Sequence, residues 1–226
     1  MKQKLTLKRV VIILTGLLFG AFSAYNVFVI IRDYKEMPLY ADIISGVVAL
    51  MFAVMAVFSL TSEIKPGIRK NIATPDDDDV VGMTEMQNIG FLVIRSTVFS
   101  IALAVIFLLK LRMSGQVLAF LDFSSLYTII YFASYVLTQL ALLFLIIYYT
   151  FVLKRLPLYP RASVFLPLAA LILFAVSFIL EIILFFVFRV ILEANLIRTV
   201  VMRPVFYLGF IGLSAYFLFP APVLDE

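Results

Sequence analysis

Six long apolar runs dominate this chain and constrain its fold more than any motif does. They cover about residues 10–31, 39–61, 86–110, 126–153, 163–188 and 197–219. An α-helix needs about 20 residues to cross the hydrocarbon core of a bilayer, and each run is long enough. The sequence therefore predicts an all-α integral membrane protein, a bundle of six transmembrane helices that forms a single domain over residues 1–226.

The composition excludes several other classes of protein. Hydrophobic residues make up 64% of the chain and charged residues 14%, whereas a soluble domain keeps about a quarter of its residues charged. Cys and His are both absent, which removes thiolate chemistry and the commonest metal ligand. We therefore expect no cofactor, no metal site, no nucleic-acid partner and no enzymatic activity. An intramembrane enzyme is the most remote alternative.

Basic residues in the loops predict the orientation of the bundle. The N-terminus and the second and fourth loops together carry ten Lys and Arg residues, and the opposite loops carry six. Because cytoplasmic loops hold an excess of Lys and Arg, both termini are predicted to be cytoplasmic. We expect a multi-pass protein of a cell membrane, of the bacterial inner-membrane or plasma-membrane type.

The first run has a second interpretation. Basic residues followed by the apolar stretch Val10–Gly20 and the small residues around Ser23 are also typical of a cleaved signal peptide. The apolar stretch continues to Ile31, however, and this length favours a retained helix. Cleavage would leave five spans.

One loop is long enough to carry a function of its own. The predicted cytoplasmic loop 62–85 contains the acidic run Asp76, Asp77, Asp78 and Asp79. The run suggests a site that docks a partner or a divalent ion. The alternative is a solvated acidic loop, which is the usual structure of a charge run.

Small residues predict close packing of the first two helices. Gly16, Gly20 and Ser23 share one face of the first helix. One narrow face of the second carries Asp42, Gly46, Ala49, Ala53 and Ala56. Small side chains let helix backbones approach closely in a membrane. The two helices are therefore expected to form a tight hairpin, with Gly20 level with about Leu50.

The fourth run has a polar face. This face carries Ser124, Thr128, Tyr131, Tyr135 and Thr138, flanked by Tyr127 and Gln139. It is expected to avoid lipid. It indicates either a pocket lined by hydroxyl groups or ordinary hydrogen bonds between helices, which are worth about 0.6 kcal/mol each in membranes.

The fifth and sixth runs contain the strongest functional signal. Glu181 lies well inside an apolar run, where an ionised carboxylate costs at least about 2.5–3.5 kcal/mol at the bilayer centre. If the turn between the two helices is centred near Leu192, Arg203 is level with Glu181, and Tyr207 is level with Ser177. The sequence therefore predicts an ion pair between Glu181 and Arg203.

Pro204 leaves two positions for the start of the sixth helix. A helix that starts near Leu196 would be kinked by Pro204. A helix that starts at Pro204 would place Arg203 at the membrane interface and weaken the case for a buried pair. The longer helix is predicted, because the shorter one leaves fewer residues than a span usually has.

Two functions of different classes remain open. The first is binding or transport of a small polar or zwitterionic solute from the outer side, in a polar cavity. The predicted ligand-binding residues are Asp42, Tyr127, Tyr131, Tyr135, Glu181, Arg203 and Tyr207. The second is a non-catalytic accessory or scaffold subunit of a larger membrane complex, which would dock other membrane subunits through Asp76–Asp79.

Overall fold

A computed structural model describes residues 7–33, 39–61, 93–112, 125–153, 160–187 and 198–218. These residues form the helices α1 (Leu7–Asp33), α2 (Leu39–Thr61), α3 (Val93–Arg112), α4 (Leu126–Ile147), α5 (Pro160–Phe186) and α6 (Arg203–Leu218). Within the described ranges, six helical segments are long and apolar enough to span a membrane, the sixth being Val200–Leu218. The predicted all-α architecture with six such helices is confirmed for this part of the chain, and membrane insertion and orientation stay predictions.

Two π-helical turns modify the regular helices. The first, Tyr148–Val152, continues α4, and the second, Arg198–Met202, precedes α6. The chain is helical from Arg198 through Pro204, as the longer predicted sixth helix requires, but the turn before Arg203 is π-helical and regular α-helix begins only at Arg203. Pro204 directly follows this π-helical turn, and it has no N–H group to donate within the helix.

The helices pack in the order of the chain. α1 packs against α2, α4 against α5, and α5 against α6, which in turn packs against α1. α3 joins the bundle through ring contacts of Phe99 with Phe58 on α2 and with Tyr149. Its Ser100 also shares a hydrogen bond of 2.9 Å with Thr150. Both Tyr149 and Thr150 belong to the π-helical continuation of α4.

Aromatic rings fill the centre of the bundle. Phe19 on α1 contacts Phe52 on α2 and Phe210 on α6, with ring centroids 5.6 and 5.2 Å apart. Phe174 on α5 stacks on Phe210 at 5.1 Å. Offset and edge-to-face arrangements of this kind are worth about 0.5–1.5 kcal/mol per pair beyond their burial. The rings connect four helices into one core.

The predicted hairpin of α1 and α2 packs through small residues. Ser23 donates a hydrogen bond of 2.7 Å to the carbonyl oxygen of Ala49. A methyl group added at Gly20 would lie 3.8 Å from the Ala56 Cβ. The predicted register, with Gly20 level with about Leu50, is wrong by two to six residues, since the contact of Ser23 with Ala49 puts Gly20 level with Phe52 and Gly20 itself lies beside Ala56. Leu50 is exposed.

Several predicted features lie outside the described residues. These are the acidic residues Asp76, Asp77, Asp78 and Asp79, the rest of loop 62–85 and Ser124. The backbone of Asp42 belongs to the first turn of α2, but its side chain lies outside the described part of the structure.

Candidate functional site

An ion pair joins α5 to the start of α6. The Arg203 Nη1 atom lies 2.9 Å from Glu181 Oε1. The same carboxylate oxygen accepts a hydrogen bond of 2.8 Å from the Tyr207 hydroxyl. Arg203 and Tyr207 are four residues apart and so share one face of α6. The predicted pairing of Glu181 with Arg203 is confirmed.

A chain of hydroxyl groups leads from Tyr207 into the bundle. The oxygen atoms of Tyr207 and Thr138 lie 3.0 Å apart, and those of Thr138 and Ser177 lie 2.6 Å apart. Ser177 in turn lies 2.9 Å from the Ser134 hydroxyl. All four side chains are buried. Buried hydroxyl groups need such partners, because an unmade hydrogen bond costs about 1–3 kcal/mol.

Tyr207 connects these hydroxyl groups to the ion pair by donating to Glu181 Oε1. Thr138 and Ser177 each have one proton and a further acceptor, the carbonyl oxygen of Ser134, at 2.8 and 2.6 Å. The hydroxyl groups therefore share hydrogen bonds among themselves and with this carbonyl group, and within the described residues Tyr207 is the one that contacts the carboxylate.

A cleft opens between α5 and α6 beside the ion pair. Its volume is about 100 Å³. Glu181 and Arg203 supply its charged groups. The remaining lining residues are apolar, and they are Phe178, Ile182, Phe185, Phe186, Val200 and Pro204. The cleft therefore combines one carboxylate and one guanidinium with hydrophobic walls.

The two oxygen atoms of the Glu181 carboxylate have different surroundings. Glu181 Oε2 is shielded from solvent and has no hydrogen-bond partner among the described residues. The other oxygen already accepts bonds from Arg203 and Tyr207. A buried acceptor without a partner costs about 1–3 kcal/mol, which a ligand donor in the cleft would recover. The carboxylate needs to turn toward the cleft for such a donor to reach Oε2.

A second cation lies near the Tyr207 ring. The Lys110 Nζ atom, at the end of α3, lies 4.7 Å from the ring centroid of Phe206 and 5.5 Å from that of Tyr207. A cation within about 6 Å of a ring centroid is attracted by the ring. Lys110 therefore brings α3 to the same end of the bundle as Glu181 and Arg203.

Comparisons with protein-family models, with curated proteins and with solved structures found no match.

The described residues also contain no group of three or more Asp or Glu side chains that could hold a metal ion. Within this part of the chain, the site is an ion pair with hydroxyl groups behind it and an apolar cleft in front of it.

Six of the seven predicted ligand-binding residues divide into two sets, and the side chain of the seventh, Asp42, lies outside the described structure. The structure brings Glu181, Arg203 and Tyr207 into direct contact. Tyr127, Tyr131 and Tyr135 do not line the cleft. Tyr135 is buried, Tyr131 is partly buried and Tyr127 is 43% exposed. The predicted polar face of α4 does turn inward at Thr128, Tyr135 and Thr138, which are buried. A role for the three tyrosines in binding stays a prediction.

Sequence reasoning missed two residues of this site. Ser134 is part of the hydroxyl chain, and its spacing of four residues from Thr138 would have placed it on the same helix face. From the sequence, Lys110 is only a loop charge that helps to set the orientation. Its position beside Tyr207 depends on how α3 packs against α6, which helix periodicity does not predict.

Proposed function

We propose that this multi-pass membrane protein binds a small polar or zwitterionic solute, from the outer side, in the cleft between α5 and α6. In this proposal a cationic nitrogen of the solute binds Glu181 and an anionic group binds Arg203. Six apolar helices support the membrane location. The excess of basic residues in the other set of loops supports an outward-facing cleft.

One observation carries the proposal. Glu181 has an oxygen without a partner in the described ranges of the chain, and it lines a cleft whose walls are mostly aromatic and aliphatic. Ionisable residues inside a membrane-spanning segment are costly and mark functional sites by default. The ion pair with Arg203 offsets the charge of Glu181 and engages only Oε1, so Oε2 can accept a donor once the carboxylate turns toward the cleft. The adjacent cleft of about 100 Å³ leaves space for a ligand group beside both charges.

A thermal-shift panel tests this function. The purified protein is heated in detergent with ethanolamine, phosphoethanolamine, choline, glycine betaine and several amino acids. A ligand at 100 times its Kd stabilises the folded state by about 2.7 kcal/mol, which is readily measured as an increase in Tm. We expect at least one solute that bears an N–H group to raise the Tm of the wild-type protein.

The variants Glu181→Gln and Arg203→Gln are expected to lose at least tenfold in affinity for that solute. Arg112→Gln is the matched control, because Arg112 is an exposed arginine at the same end of the bundle. Tyr131→Phe tests whether the polar face of α4 contributes. A panel on which no solute stabilises the wild-type protein contradicts the proposed function.

The scaffold alternative rests on the acidic run Asp76–Asp79, which lies outside the described residues. Co-purification in mild detergent, with and without residues 72–82, distinguishes the two functions. A partner that is retained only by the complete chain would favour the scaffold.

A further inference from the structure

The cleft beside Glu181 opens onto the lipid-facing side of α5 and α6. Three residues of its lining are strongly exposed, namely Phe186 at 72%, Val200 at 43% and Ile182 at 40%. All three are apolar. Below Pro204 on the same face of α6, Leu208 is also exposed. In a bilayer, an apolar rim of this kind contacts acyl chains, so a ligand can also enter the cleft from the lipid.

The position of the ion pair along α5 and α6 fits a lipid headgroup. Glu181 precedes the end of α5 at Phe186 by five residues, which corresponds to about 7–8 Å of helix rise. Arg203 is the first residue of α6. The ion pair therefore lies near the end of the membrane-length segments, close to the boundary between headgroups and acyl chains.

The volume of the cleft limits which part of a ligand it can hold. An enclosed cavity of about 150 Å³ holds a single benzene molecule. The cleft, at about 100 Å³, accommodates an ammonium group with its neighbouring atoms and no long chain. The rest of a larger ligand must lie outside, along the exposed apolar surface near Leu208.

We infer that the ligand is an amphiphile with a primary ammonium and a phosphate in its headgroup and a hydrocarbon tail, and that it enters the cleft sideways from the bilayer. This inference rests on the proposed function and names its ligand class. The ammonium donates N–H bonds to Glu181, and the phosphate pairs with the guanidinium of Arg203. The tail lies on the apolar surface below the cleft.

A primary ammonium fits this site better than a quaternary one. Glu181 Oε2 has no hydrogen-bond partner among the described residues, and a primary ammonium supplies N–H donors for it. A trimethylated ammonium has no N–H group. It would be attracted by the rings of Phe178 and Phe185 but would leave Oε2 without a bond.

Three probes test the inference in maltoside micelles by the thermal stability of the full chain. They are lysophosphatidylethanolamine, lysophosphatidylcholine with the same tail, and glycerophosphoethanolamine, which has the same headgroup and no tail. We expect lysophosphatidylethanolamine to raise the Tm of the wild-type protein at a concentration at least tenfold lower than glycerophosphoethanolamine requires. We expect lysophosphatidylcholine to raise it less at equal concentration.

Two variants separate the headgroup from the tail. Glu181→Gln is expected to abolish the preference for lysophosphatidylethanolamine over lysophosphatidylcholine. Leu208→Ala, outside the cleft lining, is expected to weaken binding of the lysolipid while leaving the effect of glycerophosphoethanolamine unchanged. Leu140→Ala is the matched control, since Leu140 is similarly exposed on α4.

Each alternative outcome has a defined meaning. Equal potency of glycerophosphoethanolamine and lysophosphatidylethanolamine overturns entry from the bilayer but leaves the proposed binding function intact. Equal shifts with the two lysolipids overturn recognition of the primary ammonium. If none of the three probes and no solute of the panel above stabilises the protein, the inference and the proposed function both fail.

Discussion

Arg203 Nη1 lies 2.9 Å from Glu181 Oε1, so the first residue of α6 is tied to a carboxylate five residues before the end of α5. The carboxylate is also bonded to Tyr207, which extends the connection to α4 through Thr138. One acidic side chain thus organises three helices at one end of the bundle. Its second oxygen has no hydrogen-bond partner among the described residues, and Glu181 lines the adjacent cleft.

Removal of both partners of the ion pair should cost less stability than the two single removals added together. Arg203→Gln leaves the mostly buried carboxylate without its cation. We expect a loss of about 2–3 kcal/mol in the free energy of unfolding, below the 3–5 kcal/mol of fully buried pairs because Arg203 is 20% exposed. The double variant Glu181→Gln/Arg203→Gln should lose less than the sum of the single variants.

Chemical denaturation of the four proteins in detergent measures this coupling. Arg112→Gln serves as a control for the loss of a positive charge at the same end of the bundle. Strictly additive effects of Glu181→Gln and Arg203→Gln would show that the two side chains do not interact.

The hydroxyl chain should contribute measurably to stability. Thr138→Val keeps the shape of the side chain but removes an oxygen within hydrogen-bond distance of Ser177 and Tyr207. Hydrogen bonds between membrane helices average about 0.6 kcal/mol and reach about 1.7 kcal/mol, so we expect a loss of about 1–2 kcal/mol. Thr61→Val is the control, since Thr61 bonds the carbonyl of Val57 within its own helix at an exposed position. An equal loss for both variants would contradict a role for the chain.

Close packing of α1 against α6 should make Gly209 intolerant of a side chain. A methyl group at Gly209 would lie 2.7 Å from Phe19 Cε1, and Phe19 is fully buried among other rings. We expect Gly209→Ala to destabilise the protein by about 1–3 kcal/mol, as is typical of overpacking. Gly20→Ala should have little effect, because its methyl group would meet only Ala56 Cβ at 3.8 Å. A comparison of Tm values in detergent checks both, and a neutral Gly209→Ala would show that α1 and α6 are farther apart.

The orientation of the bundle can be measured directly, because the chain has no Cys. Leu7→Cys and Arg112→Cys introduce single thiols at exposed positions at the start of α1 and the end of α3. With cytoplasmic termini, a membrane-impermeant maleimide should label Arg112→Cys in intact cells and Leu7→Cys only after permeabilisation. The reverse pattern would place the cleft on the cytoplasmic side.

The ion pair was predictable from the sequence for a physical reason. A carboxylate in an apolar run needs a partner, and helix periodicity with a short turn leaves few candidates. Arg203 was the candidate level with Glu181, and the structure pairs them. The inward-facing polar side of α4 was predictable in the same way, from residues that recur on one face.

Other parts of the site were not accessible to pattern reasoning. The cleft depends on how the rings of Phe178, Phe185 and Phe186 pack, and an apolar run gives no information about voids between such rings. The register of α1 and α2 depends on how closely their small residues approach. In the structure Gly20 lies beside Ala56. Tyr127 lies at the edge of the polar face of α4. A residue at the edge of a helix face can be either buried or exposed, so its pattern position did not predict that Tyr127 is exposed.

An experimental electron-density map of the wild-type protein, crystallised from lipid that contains phosphatidylethanolamine, tests the central claim most directly. We predict that Arg203 contacts Glu181 and that non-protein density in the cleft between α5 and α6 contacts the Glu181 carboxylate. A map in which Arg203 points away from Glu181, or in which the ring of Phe185 fills the cleft without additional density, would contradict the account.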